Sequence, residues 1–227
     1  MKFRRKSAHP DSAAPDAGDP AGTAELLEGA DTSGASALPA EEHVPAGPWD
    51  ADELPTELAD VERVDLGSIA LAPFPGRELR LQVDEATGAV QAALLTAEDG
   101  ALELRAFAAP RNGDLWSDVR PQLAADVQRR GGSIAEREGR WGPELLCELG
   151  VQLPDGQPGT QVSRIIGING PRWLLRATLL GRPAVDGEYA QSWEEGLAEV
   201  VVRRGAGALP VGAALPLTLP PEAQRVQ

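Results

Sequence analysis

The chain has 227 residues, with 35 acidic against 21 basic side chains and a formal net charge of −14. Its single cysteine excludes an internal disulfide framework, and no run of about 18 apolar residues is present to span a membrane. The length suits one domain with a long appendage, or two small domains.

Acidity is concentrated at the start: residues 1–60 carry 13 acidic and 4 basic side chains, residues 61–227 carry 22 and 17. Residues 1–46 are rich in Ala, Pro and Asp and poor in apolar runs. They cannot bury enough surface to offset the entropy of ordering them, so they are read as a disordered acidic tail. The opening MKFRRK is basic, but SAHPDSAAPDAGDP follows it instead of an apolar segment, so no secretory signal is read. Its four cations read as a solvated terminus. Cys147, alone, fits a reducing compartment, and the expected location is the cytoplasm. Both lysines lie in the first six residues, so later arginines reflect coding bias as readily as recognition.

GPWDADELP (47–55) reads as a hinge into a single α+β domain spanning 47–205. Trp49 is a candidate partner-binding residue; its large apolar area also favours packing within the chain. From Val64 the pattern has period two. Strands are expected at 64–72, 77–84, 89–97 and 101–109, joined by short turns into an antiparallel meander. Gly100 is expected to supply positive φ in the EDG turn. Leu102, Leu104 and Ala106 share one face of the fourth strand.

Pro110 ends that strand, and Arg111, Asn112 and Asp114 suit a turn and a helix N-cap. Leu115, Trp116, Val119, Leu123 and Val127 then fall on one helical face, closed by Gly131–Gly132. Pro121 conflicts with that helix and predicts a kink there or a start near it. A second meander follows: strands at 133–139, 144–153, 160–168 and 172–181, the last two around an Asn169–Gly170 hairpin signal. In 144–153 the alternation points Leu145, Cys147, Leu149, Val151 and Leu153 inward and Glu144 and Glu148 outward. A second helix fits 188–199, carrying Tyr189, Trp193 and Leu197. Residues 206–227, with prolines at 210, 216, 220 and 221, read as an extended C-terminal strap. The class is α+β, an antiparallel sheet of two meanders with both helices on its apolar face.

Residues 61–227 contain no His and no Lys, which removes Ser–His and Cys–His nucleophile pairs, Schiff-base lysines and zinc sites. Cys147 lies in an inward Leu-Cys-Leu row and reads as inert. No cofactor or metal is expected. Carboxylate chemistry remains, from Glu144 with Glu148 or Glu136 with Glu138, though nothing nearby is placed to split their pKa values. Arg164, Arg172 and Arg176 surround the 160–182 hairpin with Trp173; their domain is net acidic, so nucleic acid is not the expected partner.

GPWDADE, RVDLGSI, LRAFAAPRNGDLWSDVR, GGSIAEREGRWGPEL, GINGPRWLLRATLLG and VVVRRG…LPLTLP together resemble the actinobacterial family called domain of unknown function 3710, over about residues 47–221. Pro121 departs from that family's unbroken helix. The resemblance implies a cytoplasmic actinobacterial protein and brings no catalytic residues. The element order is also similar to the Mog1/PsbP-type α/β/α arrangement used by binding proteins. The expected function is a non-catalytic protein-interaction module, with Trp49, Arg111, Asp114, Arg164, Arg172 and Arg176 as candidate partner-binding residues. A small-molecule-binding or carboxylate-dependent enzyme and a nucleic-acid-associated factor stand as alternatives, and the oligomeric state stays open.

Overall fold

The computed structural model describes residues 47–111, 113–152 and 156–220. The acidic tail, Asn112, Leu153, part of the following loop and the end of the strap lie outside the described residues.

The first elements are short: β1 (Trp49–Asp50), α1 (Thr56–Ala59), β2 (Val64–Asp65) and β3 (Ile69–Leu71). The single strand expected over 64–72 is broken. Asp65 accepts the Gly67 N–H through Oδ1 at 2.7 Å, and Gly67 turns the chain with φ 83°. Three longer strands follow, β4 (Glu78–Val83), β5 (Val90–Ala97) and β6 (Gly100–Ala108), then helix α2 (Leu115–Arg129). The second meander is β7 (Ser133–Gly139), β8 (Gly142–Gln152), β9 (Pro158–Gly170) and β10 (Trp173–Gly181). Helices α3 (Arg182–Val185) and α4 (Gly187–Ala198) lead to β11 (Val201–Val202).

Two sheets result. The larger has seven antiparallel strands in the order β4-β5-β6-β10-β9-β8-β7, so the two meanders join where β10 pairs with β6. The smaller has the order β1-β11-β3-β2, with β1 parallel to β11. The first meander therefore gives the large sheet three strands, not four. Extended residues 212–217 run beside β6: Gly212 donates to Ala108 and Leu215 to Ala106, both at 2.8 Å.

The large sheet buries side chains on both faces, and the helices lie on opposite sides of it. Leu102, Leu104, Ala106, Leu175, Ala177 and Leu179 pack with Trp193, Leu197 and Leu215. Leu145, Cys147 and Leu174 pack instead with Leu115 and Trp116 of α2. The expectation of one shared helical face fails because the second meander carries apolar pairs at both parities. Leu145–Leu146, Ile165–Ile166 and Leu174–Leu175 each put one side chain on either face, which a strand covered on both sides requires. Each fully buried leucine contributes about 1.5–3 kcal/mol.

Three local corrections have physical causes. Helix α2 starts at Leu115 and runs through Pro121 as one element, so no new helix starts there, and Pro121 has no N–H to donate within it. Gly100 is a ladder residue paired with Gly181; a Cβ there would come 2.4 Å from Pro183, so close approach explains it, not turn geometry. The β9–β10 turn falls on Pro171 and Arg172, with Arg172 at φ 63°, because Gly170 still pairs with Trp173. Gly170 is needed there since a Cβ would meet the Trp173 ring at 2.1 Å.

Candidate functional site

The candidate residues separate into four settings. Trp49 is half-buried, and its backbone N–H donates to the Val200 carbonyl at 2.8 Å, which pairs this segment with β11. Two indole donors hold the same segment: Trp141 Nε1 reaches the Gly47 carbonyl at 2.7 Å and Trp173 Nε1 reaches Asp50 Oδ2 at 2.6 Å.

Asp114 caps α2, accepting from the Ser117 N–H at 3.0 Å and from Asn169 Nδ2 at 2.6 Å. The Ser117 hydroxyl, then the Ser117 N–H and Asn169, hold its carboxyl below the usual carboxylate range. Asn169, read beforehand only as a turn signal, also accepts the Trp116 N–H at 3.2 Å and so ties the hairpin end to the helix start. Arg111 and Arg172 are exposed at this end of the sheet, where the Ala109 N–H donates to the Arg172 carbonyl at 2.9 Å.

Arg164 is buried, and with it Glu144, which corrects the outward face expected for Glu144. That residue lies on the face covered by α4 and is 1% exposed. Its two oxygens accept from Arg137 Nε at 3.0 Å and Arg164 Nε at 2.7 Å, while Arg164 Nη1 meets Glu194 at 2.7 Å. Burial works against the Arg164 charge, but Glu144 and then Glu194 outweigh it and hold the guanidinium above its ordinary value. Gly139 makes room, since a Cβ there would strike the Glu144 carboxylate. Glu148 is exposed on the other side of this chain of charges, beside the Ser133 hydroxyl at 3.3 Å, so the two glutamates do not form a catalytic pair. Cys147 is buried, which pushes its thiol up, partly offset by Ser163.

Arg176 stands elsewhere. Helix α2 packs on β7, β8 and β9, and its face of the sheet is less covered over β5, β6 and β10. There Leu94, Arg105, Phe107, Arg176, Thr178 and Leu180 are all half-buried, whereas their neighbours Leu95, Leu104 and Leu179 on the opposite face are at most 3% exposed. Arg105 and Arg176 are cross-strand partners. Their guanidinium carbons lie 5.7 and 5.5 Å from the Phe107 ring centre, within cation–π range. Glu103 meets Arg176 at 3.3 Å, and Gln91 meets Arg105 at 3.5 Å. Burial draws the Arg176 guanidinium below its ordinary value; Glu103 opposes the shift and Arg105 adds to it. Two fixed guanidiniums on an aromatic floor are equipped to receive an anionic group. Arg105 and Phe107 were missed from sequence, although the alternation that buries Leu104 and Ala106 leaves an arginine and an aromatic together on the other face.

An open depression of about 460 Å³ lies by Arg63, Asp65, Leu71 and Pro220, but Arg63 Nη1 is engaged by the Leu58 and Val61 carbonyls at 2.8 and 3.2 Å. The arginines around the hairpin form no stripe, since Arg164 and Arg176 lie on opposite faces. No helix among the described residues is long and apolar enough to cross a membrane.

Residues 47–226 match the family described as "Protein of unknown function (DUF3710)". Among solved structures, the chain is similar to a crystal structure from Bacteroides thetaiotaomicron VPI-5482, at 15% identity and TM-score 0.37, over 63% of this chain and 48% of that one. The chain thus spans about half the length of that protein. It is also similar to the solution structure of cyanobacterial PsbP (CyanoP) from Synechocystis sp. PCC 6803, at 11% identity and TM-score 0.37, over 62% of this chain and 91% of that one. No curated protein matches the sequence.

Proposed function

The chain belongs to the DUF3710 family, and from that premise we propose that it is a non-catalytic interaction module that engages a protein partner through the half-covered face of β5, β6 and β10. Its place is the cytoplasm, on the strength of one buried free cysteine. Residues 47–205 form the body of the module, residues 1–46 an acidic arm and residues 206–227 a strap.

One observation carries the reading: the same strands bury one face completely and leave Arg105, Phe107 and Arg176 half-covered on the other. An aromatic with arginines is the composition that marks interface centres. The carboxylate-enzyme reading loses its best residue, because both Glu144 oxygens are occupied by arginines.

Photo-crosslinking tests this. A benzophenone amino acid placed at Thr178 in the full chain, expressed in its own cells, is expected to yield a discrete adduct with one protein. The same group at Arg129, exposed on α2, yields none. The adduct disappears when Arg105→Gln and Arg176→Gln are introduced together. Equal adducts from both positions, or an adduct indifferent to the arginines, would refute the proposal.

A further inference from the structure

We infer that Arg105 and Arg176 form a carboxylate-binding site, and that its occupant is an acidic side chain of the partner, flanked by an apolar residue that packs against Phe107. This deepens the sheet-face reading above and rests on it.

Charge complementarity identifies the occupant. Arg105 and Arg176 stand directly opposite each other on β6 and β10, and like charges in that position destabilise a sheet when nothing separates them. Among the described residues the only carboxylate bonded to either is Glu103, on Arg176 at 3.3 Å. Two guanidiniums and one carboxylate leave a single positive charge. One further carboxylate balances it, whereas a phosphate dianion overshoots. Hydrogen-bond supply tells the same story. Among the described residues Arg105 has only the long contact to Gln91 at 3.5 Å, which leaves its terminal N–H groups short of acceptors. The pair is short of acceptors as well as of negative charge.

Phe107 supplies the second half of the site. Its ring lies within 6 Å of both guanidinium carbons and is itself half-buried. An acidic residue beside an apolar one matches that surface. Half-buried side chains spread over three strands suit a peptide better than a metabolite, which calls for an enclosed pocket. Exposed Arg111 and Arg172 at the same end of the β6–β10 ladder extend the positive field and steer an acidic segment toward it.

The test is an NMR titration of the ¹⁵N-labelled full chain with two peptides, Glu-Leu-Glu-Leu-Glu and Gln-Leu-Gln-Leu-Gln, following arginine Nε–Hε signals and the Phe107 and Leu174 amides. The acidic peptide is expected to shift the Arg105 and Arg176 signals, with affinity at least about tenfold above the amide peptide. Arg105→Gln with Arg176→Gln removes the preference, Arg129→Gln keeps it, and Thr178→Glu weakens binding while leaving both arginines in place. Inorganic phosphate or a decathymidylate probe that displaces the acidic peptide at lower concentration than acetate would overturn the carboxylate assignment. So would equal binding of the two peptides, or binding that survives loss of both arginines. No peptide binding with the Thr178 crosslink intact would overturn this site and leave the sheet-face reading standing; loss of the crosslink as well would overturn both.

Discussion

Arg164 and Arg176 stand on adjacent strands, β9 and β10, within one antiparallel ladder, and they do opposite things. Arg164 is 3% exposed and satisfied by two carboxylates, Glu144 and Glu194, which dock α4 against β8 and β9. Arg176 is half-buried on the other face, with one carboxylate and a second arginine for company. Parity along a strand decides the difference: an even-numbered position on β9 faces α4, while an even-numbered position on β10 faces away from it. Closed electrostatics hold the fold together; open electrostatics are left for a partner.

The sharpest way to break this contrast is to remove one member of the closed set. Glu144→Ala leaves Arg164 buried and short of one of its two carboxylates, and is expected to cost about 3–5 kcal/mol in urea unfolding. Replacing both residues together, Glu144→Leu with Arg164→Met, is expected to recover most of that loss, because the desolvation cost of the charges goes with them. A double variant as unstable as the single one would show that the ion chain is not the unit that matters.

Next comes the part of the sheet that α2 covers. Gly167→Ala places a methyl group 2.0 Å from the Trp116 ring and is expected to destabilise by about 1–3 kcal/mol. The α2 cap gives a smaller effect: Asp114→Ala is expected to cost about 1 kcal/mol. The folded Asp114 carboxyl titrates below its unfolded value, held there first by the Ser117 hydroxyl. Its contribution is therefore present above about pH 4 and fades as acid protonates the folded carboxylate. Asp114→Asn should flatten that acid limb of the stability curve while keeping most of the cap. Smallest is the open pair: Arg105→Gln is expected to change stability by no more than about 0.5 kcal/mol, because it removes a cross-strand like-charge contact as well as a long hydrogen bond to Gln91.

Period-two alternation made most of the large sheet legible, and the Asp114 cap and Gly131 stop marked α2 within its sequence. Whether a polar strand face meets water was not legible. Glu144 reads as a solvated residue by alternation, and only the doubled apolar pairs at 145–146, 165–166 and 174–175 hint that both faces are covered. Glycines at close approaches were misread in the same way. Gly100 and Gly170 look like turn residues, yet each is a ladder position whose missing Cβ admits Pro183 or Trp173. Such crowding is a property of partners distant in the chain, which local pattern does not encode. The break at Gly67 and the small sheet that follows belong to the same class, since β3 finds its neighbour in β11, where Val201 pairs with Ala70 from far along the chain. The open site was half visible: Arg176 stood out, while Arg105 and Phe107 needed the β6–β10 register to bring them beside it.

The most direct measurement compares Arg164→Met with Arg176→Met by equilibrium unfolding of the full chain, methionine preserving the stem volume in both. Arg164→Met is expected to lose about 3 kcal/mol or more, and Arg176→Met to stay within about 1 kcal/mol of the parent. Equal losses at the two positions would contradict the division between an arginine that holds the fold and one that is free to meet a partner.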